Sequence, residues 1–109
     1  MSDPKRDPFL ELKHRFLAGL ERRLAELRDL LDGGAAPEML MLKFHSLAGI
    51  GGTYGFDRIT DLSRQSEQLC ATVVDEKRAL RGNELEELAN GIMAIRVAAA
   101  APQTSSNVP

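Results

Sequence analysis

The chain has 109 residues, of which 43% are hydrophobic and 28% charged, and its formal net charge is −2. This length and composition are typical of a single globular domain. Acidic and basic residues are mixed along the chain, which has one Tyr and no Trp. We therefore expect no nucleic-acid-binding surface, because such a surface needs a basic patch and rings on which bases stack.

The single cysteine excludes an internal disulfide framework and fits a reducing compartment. No apolar run approaches the roughly 20 residues that span a bilayer. Residues 1–8 are charged and lack the apolar core of a signal peptide. These features predict a cytoplasmic protein with no membrane segment.

The first predicted helix follows a polar lead-in over residues 1–7. Asp7 is suited to cap this helix and Pro8 to occupy its first position, while Gly33 and Gly34 end it. Its apolar residues recur at steps of three and four, which is the spacing of an amphipathic helix. They are Phe9, Leu12, Phe16, Leu20, Leu24, Leu27 and Leu31.

The second predicted helix begins at Pro37 and is broken by Gly51 and Gly52. Its apolar row is Leu40, Phe44 and Leu47, with Met41 and Ala48 beside it.

The third predicted helix starts near Gly55. We expect Cys70 to lie next to its apolar row as a small core residue. That row is Phe56, Ile59, Leu62, Ser66, Leu69 and Val73.

The fourth predicted helix follows a charged connector over residues 75–82. Asn83, with Glu86 three residues later, resembles a capping box. The apolar row of this helix is Leu85, Leu88, Ile92, Ile95 and Ala99. Pro102 stops the helix, and the polar residues 102–109 have the composition of a flexible tail or linker.

No stretch alternates at a period of two, so no sheet is predicted. Four amphipathic helices with short connections predict an all-α fold, an antiparallel up-down four-helix bundle over residues 8–101. With all four apolar rows facing inward, we expect a monomer.

His45 is the residue from which a function can be predicted. It lies about 100° round the helix from Phe44, at the rim of the buried row. Ala48, Gly49 and Gly52 follow it along the same edge. These small residues clear the surface around the imidazole, although a helical glycine costs about 1 kcal/mol relative to alanine. Imidazole is a recognised covalent nucleophile. A reacting partner must reach it closely, and this need for access explains the small residues beside His45.

Glu67 is the candidate to orient that imidazole. It follows the buried Ser66 as His45 follows the buried Phe44. If the second and third helices pair antiparallel, both side chains flank one seam. The carboxylate would then accept a hydrogen bond from Nδ1 and leave Nε2 as the exposed nucleophile.

Residues 45–49 and 52–56 read His-Ser-Leu-Ala-Gly and Gly-Thr-Tyr-Gly-Phe. This segment resembles the phosphorylation motif of histidine-containing phosphotransfer (HPt) domains. It is most similar to the N-terminal phosphotransfer domain of chemotaxis histidine kinases, in which His-Ser-aliphatic-Lys-Gly leads to a Gly-Thr-Phe-Gly-Phe bend. The resemblance implies that His45 is phosphorylated, that Gly49 leaves room for the incoming active site, and that Glu67 bonds the histidine.

One position departs from the family pattern. The family usually has a lysine three residues after the histidine, where this chain has Ala48. That lysine is thought to attract and steady the phosphoryl group. Lys43 and Arg64 are the candidates to replace its charge.

The function implied by the resemblance is that of a phosphorelay intermediate. His45 would exchange a phosphoryl group with a receiver-domain aspartate or accept it through a sensor or hybrid histidine kinase. The sequence has no Gly-rich nucleotide loop and no Walker lysine. We therefore expect a phosphoryl carrier with no kinase activity and no cofactor of its own, with Mg²⁺ held by the partner.

Two alternatives stay open at this stage. The first is an HPt-like binding module that docks a receiver or kinase domain without taking phosphate, which the missing lysine favours. The second is a metal-binding helical bundle, which would need Glu-x-x-His pairs. Glu11 and His14 have that spacing, but Leu42 stands three residues before His45.

Overall fold

The computed structural model describes residues 10–101, which contain four α-helices and no strand. The helices are α1 (Leu10–Asp32), α2 (Pro37–Thr53), α3 (Asp57–Asp75) and α4 (Gly82–Ala100). This architecture confirms the predicted all-α fold. None of these four helices is long and apolar enough to cross a membrane. The predicted start at Asp7 and Pro8, the apolar Phe9, the lead-in and the tail lie outside the described residues.

Consecutive helices run antiparallel. Phe16, early in α1, lies against Tyr54 after the end of α2, with ring centroids 6.0 Å apart. Glu26, late in α1, forms an ion pair with Lys43 in the first half of α2 at 3.2 Å. Short loops join the helices, which leaves no room for a crossover connection.

All four helices contribute to one hydrophobic core. Its fully buried large side chains are Leu20, Leu24, Leu40, Phe44, Ile59, Val73, Leu88 and Ile95. Burying an aliphatic or aromatic side chain of this size stabilises the fold by about 1.5–3 kcal/mol. Phe16 and Phe56 stack at 5.4 Å and close the core near the α2–α3 turn.

The α3 row differs from the prediction by one residue near its end. Cys70 is fully buried, whereas Leu69 is half-buried and packs against the edge of the core. A helix turns by about 100° per residue, so either position continues the apolar row within the width of the buried face. In α1 and α4, Leu12 and Leu85 were expected in the core but are exposed.

The end of α2 also differs from the prediction, because Gly51 and Gly52 continue the helix instead of breaking it. The chain turns at Gly55, whose φ of +79° favours glycine. The amides of Phe56 and Gly55 donate to the carbonyls of Gly51 and Gly52 at 2.8 and 3.2 Å. These two bonds form a Schellman motif that satisfies the last carbonyls of α2.

The cap of α4 lies two residues earlier than predicted. The helix begins at Gly82, and the Glu84 carboxylate accepts a bond from the Arg81 amide at 2.8 Å. Arg78 holds the same carboxylate with two bonds, at 2.8 and 2.7 Å. The predicted pair of Asn83 and Glu86 is therefore wrong, because the arginine in the loop fixes Glu84 as the capping acid.

We predict opposite effects on stability at two glycines of α2. A Cβ at Gly51 would lie 2.9 Å from Thr60 Oγ1, whereas one at Gly49 would meet nothing within 4 Å. Gly51→Leu should lower the free energy of unfolding by about 2 kcal/mol through overpacking. Gly49→Leu should raise it by at most about 1 kcal/mol through helix propensity. Urea unfolding measures both, and equal effects would contradict this account of Gly51.

We predict that Glu84 contributes stability that depends on pH. Hydrogen bonds from Arg78, and then from the Arg81 amide, lower the pKa of Glu84 from 4.5 to about 2. A lowered carboxyl pKa stabilises the fold above pH 4.5, and this contribution is lost as the pH falls towards 2. Glu84→Gln should therefore be less stable than wild type at pH 6, with the difference closing near pH 2.

Urea unfolding at both pH values measures this difference. Glu86→Gln is the matched control, because Glu86 is exposed and has no ion pair in the described part of the chain. A Glu84→Gln deficit that persists unchanged at pH 2 would contradict the role of the charged pair.

Candidate functional site

His45 stands on the surface of α2 beside the seam with α3. Its side chain is 73% exposed, while the preceding Phe44 is fully buried and anchors that turn of the helix in the core. Its Nδ1 lies 2.7 Å from Oε2 of Glu67, whose side chain is only 26% exposed. The structure thus brings together the two residues that the sequence placed on one seam.

This hydrogen bond decides what the ring can do chemically. A neutral ring with its proton on Nδ1 donates to the Glu67 carboxylate and keeps a free lone pair on Nε2. A carboxylate partner also stabilises positive charge that develops on the ring. The arrangement is therefore suited to an imidazole that attacks through Nε2.

Close packing of α2 on α3 sets this geometry. The Thr60 hydroxyl donates to the Ala48 carbonyl at 3.2 Å, and this bond is buried. Gly51 allows Thr60 to approach, because any Cβ there would lie 2.9 Å from its hydroxyl. Two turns further along α3, the same closeness lets the short Glu67 side chain reach His45.

A shallow hollow of about 320 Å³ opens beside the His45 ring, with room for a phosphoryl group. Its lining residues are His45, Ala48, Gly49, Arg64, Glu67, Gln68 and Ala71. Arg64 has no ion pair or hydrogen bond from its side chain within residues 10–101. Its guanidinium can therefore bind an oxyanion in the hollow without giving up another partner.

Lys43, the other candidate to replace the charge of the family's lysine, does not line this hollow. Its Nζ bonds Glu26 of α1 at 3.2 Å, on the opposite flank of α2. The reason is geometric, since two residues along a helix correspond to about 200° of rotation.

The small residues that follow His45 along α2 differ in their exposure to solvent. Gly49 and Gly52 are exposed, as expected for a cleared surface. Ala48, however, is buried, with its carbonyl bonded to Thr60 of α3, and it borders only the floor of the hollow. The position where the family usually has lysine is here part of the helix contact.

Sequence reasoning missed Gln68, which also lines the hollow. Its place one turn after Arg64 on the same face of α3 was the signal that could have identified it. Its side-chain amide adds a neutral hydrogen-bond donor beside the arginine.

Neither His14 nor Cys70 belongs to this site. His14 is exposed on α1, away from the hollow. Burial raises the pKa of the Cys70 thiol to about 11, with further contributions from the charges of Glu67 and Glu84. This thiol therefore stays protonated near neutral pH. No group of three metal-ligating side chains occurs within residues 10–101.

The family model of the Hpt domain matches residues 11–98 of the chain. Comparison with curated proteins and with solved structures gives no match. The matched range contains the whole α2–α3 seam, with His45, Glu67 and the hollow between them. Because this match covers most of the chain, the protein belongs to the Hpt domain family, whose members carry out histidine phosphotransfer in phosphorelays with kinases and receiver domains.

Proposed function

We propose that His45 is the phosphorylated residue of this phosphotransfer domain. It accepts a phosphoryl group from a receiver-domain aspartyl phosphate or from a histidine kinase, and it passes that group to a receiver aspartate. The observation that carries the proposal is the mostly exposed imidazole held at 2.7 Å by Glu67.

The transfer step follows from the geometry of the ring. The Nε2 lone pair forms a bond to phosphorus as the bond between phosphorus and the aspartyl oxygen breaks, and the aspartate leaves as a carboxylate. The ring, which keeps its Nδ1 proton, becomes positively charged, and the Glu67 carboxylate stabilises that charge. The reverse sequence returns the group to an aspartate, because positioning and charge stabilisation serve both directions.

Arg64 and Gly49 support this step in different ways. Arg64 supplies positive charge to the phosphoryl oxygens from α3, in place of the lysine that the family usually carries on α2. Gly49 leaves the surface one turn beyond the ring without a side chain, so that the partner's active site approaches closely.

The partner completes the chemistry in this proposal. The receiver domain supplies Mg²⁺ and the acids that bind it, and the chain acts as a carrier without kinase activity or a cofactor of its own. Such a carrier would work in the cytoplasm, where its kinase and receiver meet. A docking module that never takes phosphate is the outcome that would replace this proposal, although such a module has no use for an oriented imidazole.

We predict that His45→Gln abolishes phosphorylation by phosphoramidate and by a phosphorylated receiver domain. The wild type should acquire an acid-labile, alkali-stable label, because a phosphorus–nitrogen bond has that stability. His14→Gln is the matched control and should label as the wild type does, since His14 lies away from the hollow. A label that survives His45→Gln would overturn the assignment.

We predict that Glu67→Gln slows transfer from a phosphorylated receiver by about 10- to 100-fold. A hydrogen bond to a charged group contributes about 1.5–3 kcal/mol, and the amide cannot balance the ring's developing charge. Nitrogen NMR should show more of the tautomer protonated on Nε2, which a purely structural role would not change. Asp61→Asn, an exposed change on α3, is the control and should leave both measurements unaltered.

A further inference from the structure

Two glutamines lie exposed on α3, and only one of them lines the hollow beside His45. Gln65 and Gln68 are both exposed, but Gln68 alone of the two belongs to the lining. Because a helix turns by about 100° per residue, Gln68 lies about 100° round α3 from Glu67, whereas Gln65 lies about 160° round. Gln68 is therefore at the outer edge of the hollow, and Gln65 is on the side of α3 that faces away from α2.

The side-chain amide of Gln68 has no hydrogen-bond partner within residues 10–101. Its backbone carbonyl, by contrast, accepts a bond from the Thr72 hydroxyl at 3.1 Å. Ala48, Gly49 and Ala71 also line the hollow, and none of them has a polar side-chain atom. A glutamine amide carries two N–H donors. Both donors of Gln68 are thus unused by the described part of the chain.

The charges around the hollow leave room for a further donor to a phosphoryl group. Arg64 and Glu67 line the hollow with opposite charges, and Ala48 stands where the family usually has lysine. A phosphoryl group brings negative charge and three strong acceptor oxygens. Gln68 lies one turn after Arg64, and residues four apart on a helix are neighbours. The amide and the guanidinium can therefore donate to different oxygens of one phosphoryl group.

The bond from Gln68 would exist in only one state of the chain. Hydrogen bonds to charged oxygens are stronger than those between neutral groups. The amide gains such a bond when His45 carries the phosphoryl group and loses it when the group leaves. An interaction made in one state alone shifts the equilibrium towards that state by its own free energy.

We propose that Gln68 donates a hydrogen bond to the phosphoryl group on His45 and so sets the transfer equilibrium between this chain and its receiver. This proposal rests on the proposed function, because it takes His45 to be the phosphorylated residue. Gln68 contacts the transferred group itself, whereas Glu67 acts on the ring through Nδ1. The neutral amide on α3 thereby supplies part of the stabilisation that the family's lysine gives from α2.

The first test measures the equilibrium constant for transfer from the phosphorylated chain to a receiver domain, from the forward and reverse rates. Gln68→Ala should shift it about three- to tenfold towards the phosphorylated receiver, as expected for an exposed hydrogen bond to a charged group. This constant compares the free proteins, so a lost contact with the docked receiver would not change it.

Gln65→Ala is the matched control. It makes the same substitution at an exposed position of the same helix, with the same change in helix propensity. It should leave the equilibrium constant as in the wild type, because Gln65 does not line the hollow.

A second pair of variants replaces the amide by a carboxylate of the same shape. Gln68→Glu removes the donor and places negative charge beside the phosphoryl oxygens, so the equilibrium constant should shift about tenfold or more towards the receiver. Gln65→Glu changes the net charge equally and should stay within about twofold of the wild type, because exposed charges outside the hollow are screened.

Nuclear magnetic resonance tests the contact without a receiver. The wild type, labelled uniformly with ¹⁵N, is phosphorylated with phosphoramidate. The side-chain amide protons of Gln68 should move downfield, as protons do when they become hydrogen-bonded to a charged oxygen. Those of Gln65 should stay in place.

The outcomes separate this proposal from the proposed function. A wild type that takes no label on His45 would overturn both. A labelled wild type would leave the proposed function standing and decide the role of Gln68 alone. In that case an unchanged equilibrium constant in the Gln68 variants, an equal shift in the Gln65 controls, or unmoved Gln68 amide signals would overturn the proposal.

Discussion

The contact between α2 and α3 at Gly51 and Thr60 is the constraint on which the site depends. The Thr60 hydroxyl reaches the Ala48 carbonyl at 3.2 Å only because position 51 has no side chain to block it. The two helix axes are thereby held close enough for a carboxylate on one to orient an imidazole on the other. The chemistry proposed for His45 thus depends on close packing at Gly51, which itself carries no reactive group.

The single helix α2 presents three faces to three different surroundings. One face is buried and includes Phe44 and Leu47; a second carries His45 at the seam; and the third, with Met39 and Leu42, borders α1. A period of 3.6 residues allows neighbours in sequence to face different environments. Core packing and the proposed phosphoryl transfer therefore depend on different faces of one short segment.

The sequence was sufficient to predict the four helices, most of their buried faces and the proximity of His45 to Glu67, because each follows from helical periodicity. It was insufficient where a tertiary contact overrides local preference. Gly51 has the propensity of a helix breaker, yet packing against Thr60 keeps it helical. The cap of α4 depends on Arg78 in the preceding loop, whose bonds to Glu84 no capping pattern contains.

The exposure of the His45 ring has a consequence for how long a signal would persist. Nearly three quarters of the side chain faces solvent, and no lid covers it in the part of the chain that the structure describes. A phosphorus–nitrogen bond formed there would stand in water, so its lifetime would follow the intrinsic hydrolysis of phosphohistidine. The duration of the stored signal would then depend on how soon a receiver arrives, and hence on the cellular abundance of that receiver.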